Sequence, residues 1–145
     1  MPGGLSPRLA RVVEALPFTP ESRILEIGCG PGAAARAVAA RLESGRILAI
    51  DRSAAAVAQA EASSAAEIAS GRMSLRQVAA EDFAPEPGEA LFDIAFAIRV
   101  GAFDGRHPAA GRRALRRVAA ALAPGGRLFT DGGDPLKEIP VPHRR

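Results

Sequence analysis

The sequence predicts an α/β fold, a doubly wound and mostly parallel sheet with helices on both faces. Three observations point there. Short apolar runs alternate with helix-length stretches along most of the 145-residue chain. The first run ends in ILEIGCGPG (24–32), a turn with glycines at every second position. FDIAFAI (92–98) is apolar on both faces except at Asp93, as a strand covered by helices on each side should be.

Each element has a local reason. In SPRLARVVEAL (6–16), Ser6 can cap, Pro7 suits the first helical position, and Leu9, Val12, Val13 and Leu16 share a face. PFTPES (17–22) breaks that helix, and RILEI (23–27) is a short apolar strand. Pro31 to Glu43 reads as a helix with Val38 and Leu42 on its apolar side, ended by Ser44-Gly45. RILAI (46–50) is a second strand, closed by Asp51. Ser53 caps an Ala-rich helix that runs to about Ser70, where Gly71 stops it. MSLRQV (73–78) alternates as a third strand, and the following AEDFAPEPGEAL is loop with room for one helical turn. Strand four is 92–98. A helix from about Pro108 to Leu122 carries Leu115, Val118, Ala119 and Leu122 on one side. APGG (123–126) is a turn into a fifth strand, RLFTD (127–131), and the Pro-containing remainder reads as irregular. Right-handed crossovers then place ligands beyond the carboxyl ends of the strands, where the glycine turn lies.

The length favours one domain, with roughly 70% of the unfolded surface buried. Cys29 is the only cysteine, so no internal disulfide forms, which fits a reducing compartment. No apolar run reaches the ~18 residues of a membrane span, and no stretch reads as a signal peptide. These features predict a cytoplasmic protein without membrane contact. The net charge is +3, and Lys137 is the only lysine among 19 basic residues. Arg112, Arg113, Arg116 and Arg117 cluster on one helix, but no aromatic residues are interleaved to stack on bases. The cluster reads as a solvated face, Arg144 and Arg145 as a solvated tail, and no nucleic-acid partner is expected.

Gly28, Gly30 and Gly32 permit positive φ and remove side chains that would block a ligand. The helix that follows presents unpaired N–H groups suited to a phosphate or carboxylate. Gly28 to Ala33 also matches the nicotinamide pattern G-x-G-x-x-A, with Asp51 placed to hold a ribose. Glu26 argues against that ligand, because a carboxylate just before the turn would face a pyrophosphate. A ligand combining an amine, a carboxylate and an adenosine fits better, and S-adenosylmethionine is one.

Over residues 20–135 the chain resembles the class I S-adenosylmethionine-dependent methyltransferases. ILEIGCGPG is similar to the first motif of that family, AID (49–51) to the second, AAEDF (79–83) to the third, FDIAFAIRV (92–100) to the fourth, and LAPGGRLF (122–129) to the turn into strand five. The resemblance implies a Rossmann-like sheet in the order 3-2-1-4-5, lacking most of the usual C-terminal strand pair. It divides the chain into an N-terminal helix or lid (1–22), a cofactor-binding domain (23–135) and an irregular tail (136–145). It further implies that backbone around Gly28, Cys29, Gly30 and Gly32 lines the methionine part and that Glu26 holds its ammonium. Asp51 would accept from the ribose hydroxyls, with Arg52 beside the adenine. Glu81 or Asp82 would accept from the adenine amine while the Ala80 region offers an N–H. Relatives often carry Asp or Asn where Ala79 stands, so the choice between 81 and 82 stays open. Phe83 reads as a core plug, and Cys29 as a small packing residue rather than a nucleophile.

Arg99 stands where relatives often have Asn, and it can orient an acidic substrate or form a surface ion pair. Asp104 and His107 follow in the same loop, His107-Pro108 reading as a helix start. None is assigned as a catalytic base. Strand five is expected to be a sheet edge with open hydrogen-bonding groups, covered by the tail, another chain or a further segment, and a homodimer can form through it. The expected activity is in-line methyl transfer to a small molecule. The alternatives are a protein that binds S-adenosylmethionine or S-adenosylhomocysteine without turnover and, more distantly, an NAD(P)-dependent oxidoreductase.

Overall fold

The computed structural model describes residues 5–100, 103 and 105–142. The elements follow in the order α1 (Pro7–Ala15), β1 (Arg23–Ile27), α2 (Ala33–Ala39), β2 (Arg46–Asp51), α3 (Ala54–Ser63), α4 (Ala65–Ala69), β3 (Met73–Gln77), a 3-10 turn (Ala80–Asp82), β4 (Phe92–Ala97), α5 (Pro108–Ala121), β5 (Leu122–Thr130) and β6 (Lys137–Ile139). The six strands form one sheet in the order β3-β2-β1-β4-β5-β6. The first five are parallel; β6 runs antiparallel to β5.

Successive strand residues point to opposite faces, and the core divides accordingly. On one face Ile24, Ile47, Ile94 and Phe96 pack with Val13 and Leu16, from α1 and its end, and with Ala35 and Val38 of α2. On the other, Leu25, Ile27, Ile50 and Ala95 pack with Phe83, with Val118 and Ala121 of α5, and with Leu128. Full burial of each large apolar side chain contributes about 2 kcal/mol, which ties both helical layers to the sheet. Phe83 is the core plug expected, 1% exposed and tilted against Phe92 with ring centroids 6.3 Å apart.

Three features differ from expectation. The Ala-rich helix is broken at Ser64, whose backbone leaves the helical region at φ −121°, ψ 25°. The Ser64 hydroxyl is buried and accepts from Arg36 Nη1 at 3.0 Å, so a contact from α2 pins the break. APGG lies within β5 rather than before it. Phe92 pairs with Leu122 and Ile94 with Arg127, so the extra residues are bulged out at a positive-φ Gly125. The stretch expected to be irregular contains β6, which pairs Lys137 with Thr130 and Ile139 with Leu128. The edge of β5 proposed for a homodimer is therefore occupied over Leu128–Thr130. An Arg127–Glu138 ion pair at 2.8 Å spans the two strands.

Candidate functional site

The turn after β1 is locked by its own backbone. The Gly28 and Cys29 N–H groups both donate to Ile50 O, at 2.8 and 3.0 Å, and the Gly30 N–H donates to Asp51 Oδ2 at 2.9 Å. All three glycines have positive φ, +71° at Gly28, +54° at Gly30 and +88° at Gly32. These three N–H groups are thus spent on β2, and the helix whose N–H groups were expected to meet an anion, α2, opens only at Ala33. What the turn supplies is room. A Cβ on Gly28 would stand 2.6 Å from Val100 Cγ2.

Two cavities flank this turn and share Gly28, Asp51 and Arg99. The first, about 420 Å³, is walled by Glu26, Cys29, Gly30 and Asp51 and closed by Leu9 and Val12 of α1. The second, about 580 Å³, lies between Arg52, Ala80, Glu81 and His107. A long ligand can span both across the carboxyl ends of β1, β2 and β4.

Glu26 is the unusual group. It is 3% exposed, and its Oε1 has no hydrogen-bond partner. Burial pushes its carboxyl up from 4.5 to about 8, and the negative Asp51 pushes the same way, against a smaller pull from Arg36. An orphaned buried acceptor costs about 1–3 kcal/mol, and a donor in the first cavity would satisfy it. Asp51 is already oriented, taking the Gly30 N–H on Oδ2 and the Ser53 N–H on Oδ1, yet each oxygen keeps a lone pair for a hydroxyl. The donor set therefore fits S-adenosylmethionine, whose ammonium would meet Glu26 and whose ribose hydroxyls would meet Asp51.

Of the other expected site residues, Gly28, Cys29, Gly30, Arg52, Ala80, Glu81 and Arg99 line one or both cavities. Gly32 lines neither; its absent side chain makes space for Arg36, Ala60 and Ser64, so its role is helix packing. Asp82 lines neither as well. With Glu81 it faces Arg113, Arg116 and Arg117 of α5, which separates the two carboxylates expected to compete for adenine. Cys29 is buried, and burial, reinforced by Glu26 and Asp51, pushes its thiol up to about 12, which supports a packing role. His107 precedes α5 as expected, with Pro108 at the first turn. Asp104, Arg144 and Arg145 lie outside the described residues. Ser6, Arg8, Leu9, Ile98, Val100 and Arg106 also line the cavities and were not anticipated as site residues. The shared apolar face of the first helix was the available signal for Leu9. Among the described residues no group of acids, cysteines or histidines is arranged to hold a metal, and no helix is long and apolar enough to cross a membrane.

Comparison with known proteins agrees with this geometry. A trans-aconitate 2-methyltransferase from Paracidovorax citrulli is 37% identical over 131 residues, covering 90% of this chain and 44% of the relative. One from Delftia acidovorans is 29% identical, over 89% of this chain and 44% of the relative. The chain thus spans less than half the length of these curated relatives. Among solved structures, the [4+2]-cyclase SpnF superimposes with a TM-score of 0.69 at 29% identity, covering 84% of this chain and 42% of that one. A methyltransferase from Geobacter sulfurreducens in complex with S-adenosyl-L-homocysteine superimposes at 0.66 and 20% identity, covering 87% and 48%, and shares the fold. The model of the methyltransferase domain matches residues 24–126. That stretch starts in β1 and ends within β5, enclosing the glycine turn, Asp51 and Glu81, and so this chain belongs to the methyltransferase domain family.

Proposed function

We propose that this chain binds S-adenosylmethionine and takes part in methyl transfer to a small molecule. The observation that carries the reading is Glu26: a buried, unpartnered carboxyl oxygen facing a cavity that also presents Asp51. A ligand with a cationic amine at one end and vicinal hydroxyls further along relieves both groups. A dinucleotide would meet Asp51 through a ribose but would set its pyrophosphate against Glu26, which disfavours the oxidoreductase reading.

The cofactor supplies an activated methyl group on a sulfonium. The chain's part is to hold and exclude. Glu26 takes the ammonium, Asp51 takes the ribose hydroxyls, and Glu81, which lines the second cavity, takes the adenine amine. Leu9, Val12 and Ile98 keep water from the first cavity. Val100, at the Gly28 turn, limits how far the ligand can slide. The relatives named for trans-aconitate support a small-molecule acceptor. A second reading, binding without methyl transfer, is favoured by one observation: a neighbour of the same fold is named for a cyclisation.

Titration calorimetry with S-adenosylmethionine and S-adenosylhomocysteine tests the binding, and transfer of radiolabelled methyl to small carboxylates, phenols and amines tests the reaction. Heat without transfer to any acceptor would leave the second reading. No heat with either compound would end both.

A further inference from the structure

S-adenosylmethionine and S-adenosylhomocysteine carry a carboxylate beside the amine. Glu26 and Asp51 are acids and cannot match it. The glycine turn cannot take it either. The Gly28, Cys29 and Gly30 N–H groups are bonded to β2, the Gly32 N–H donates to Cys29 O at 3.0 Å, and Pro31 has none. Helix α2 begins at Ala33 and has only seven residues, and its opening N–H groups bring no full charge. A carboxylate taken out of water beside two acids needs a cation.

Among the described residues two cations line the first cavity, Arg8 and Arg99. Which end of the ligand each meets follows from what the cavities share. Asp51, the ribose group, lines both cofactor cavities, so the base extends into the second and the amino acid stays in the first, beside Glu26. Arg99 lines both, whereas Arg8 lines the first and not the second. Arg8 sits in the first turn of α1, next to Leu9 and close to Ser6, which also line the cavity. The Ser6 hydroxyl caps α1 by accepting from the Leu9 N–H at 3.2 Å, so its own hydrogen remains to donate. Arg8 is held from elsewhere. Its Nη2 donates to Asp131 Oδ2 at 2.8 Å, and Asp131 lines neither cofactor cavity but a third, about 600 Å³, which Arg106 and Lys137 line as well. One guanidinium N–H is thereby used and the others remain, on a long side chain already ordered before a ligand arrives. Ser6, Arg8 and Asp131 all lie outside the stretch matched by the family, residues 24–126.

We propose that Arg8, with the Ser6 hydroxyl beside it, takes the carboxylate at the methionine end of the cofactor. The proposal rests on the function proposed above and adds the residue that completes its binding site. Glu26 of β1 and Arg8 of α1 then hold the two charges of the amino acid, one each, and a ligand with the amine but no carboxylate loses half of the match. Leu9 and Val12 belong to the same helix as Arg8, so the ligand's carboxylate also ties the roof of the first cavity to its occupant.

The test is calorimetry on the full chain with two probes, S-adenosylhomocysteine and its decarboxylated analogue, which keeps the amine and the nucleoside and lacks the carboxylate. The parent should bind S-adenosylhomocysteine at least about tenfold more tightly than the analogue. Arg8→Gln should lose about tenfold for S-adenosylhomocysteine and stay within about twofold for the analogue, which erases the preference. Arg8→Lys keeps the charge without the fork and should retain a preference of about threefold. A purely structural role, in which the substitution only loosens α1, would weaken both probes alike. Such a parallel loss, a parent without preference, or a preference that survives Arg8→Gln would overturn the assignment and leave the proposed function standing. If Arg99→Gln abolishes the preference instead, the carboxylate belongs to Arg99. A parent that binds neither probe would end the proposed function and this proposal together.

Discussion

The affinity of this chain for S-adenosylhomocysteine should depend on the proton carried by Glu26. With its carboxyl at about 8, Glu26 is roughly nine-tenths protonated at pH 7, and ionising it costs about 1.4 kcal/mol. An ammonium ligand needs the carboxylate, so binding expels close to one proton. Affinity then tracks the ionised fraction, which is about 1% at pH 6 and about 24% at pH 7.5, a rise of about 25-fold. Calorimetry across that range reads the slope, and repeating it in buffers of different ionisation enthalpy counts the proton. Glu26→Gln should remove the pH slope and weaken binding at pH 7.5 by at least about tenfold. The same residue opposes its own ionisation in the free fold. The folded value is raised above the unfolded 4.5, so Glu26 favours the fold fully below pH 4.5, and that contribution is lost as pH rises through about 8. The glutamine variant should therefore melt higher than the parent at pH 8, by about 5 °C or more. A flat affinity profile with no proton exchanged, or a variant that binds as tightly as the parent, would refute the reasoning.

Three further outcomes follow from the same geometry. Gly28→Ala must place a Cβ 2.6 Å from Val100 Cγ2 at a φ of +71°, and chemical denaturation should show a loss of about 1–3 kcal/mol; a loss below about 0.5 kcal/mol would mean that the turn is not tight. Asp51→Asn leaves either the Gly30 or the Ser53 N–H facing an amide NH2, so the variant should lose about 1–2 kcal/mol of stability. Its affinity for S-adenosylhomocysteine should fall about tenfold or more by calorimetry, and parental affinity would remove Asp51 from the site. Cys29, with its thiol at about 12, should react with iodoacetamide at pH 8 about a thousandfold more slowly than a free thiol, followed by mass spectrometry; a rate within tenfold of the free thiol would contradict the burial.

Much of this was legible from local chemistry. RILEI forms a strand with the bounds expected, because its apolar residues are hemmed by PFTPES on one side and glycine on the other. Glu26 stood out as a carboxylate in an otherwise apolar run, and its Oε1 is one of the buried atoms left without a hydrogen-bond partner among the described residues. The break at Ser64 was not legible: a serine among alanines carries no stop signal, and the cause is Arg36, 28 residues away. Strand β6 was hidden for a similar reason. The four residues between Pro135 and Pro140 have little strand character alone, and three of them pair because β5 offers an edge and Arg127 meets Glu138. Gly32 looked like part of the ligand turn because its spacing continues that of Gly28 and Gly30, whereas its contacts belong to a helix crossing that no short window reveals. Arg106, just before α5, and Lys137 of β6 were invisible as neighbours, since 31 positions separate two residues that line one hollow only in the folded chain.

The first helix is clasped to the far side of the sheet by Arg8–Asp131 at 2.8 Å and Arg11–Asp134 at 2.9 Å, and most of the atoms involved face solvent. Such pairs weaken as ions crowd around them, the screening distance shrinking from about 8 Å in physiological saline to about 3 Å at 1 M. Electrolyte thus acts as a solvent-side dial on the roof of the first cavity. In dilute buffer the roof is held down at both arginines, whereas in brine only the wedge of Val12, Val13 and Leu16 retains it, and its amide protons should exchange with deuterium sooner while those of the strands beneath keep their pace.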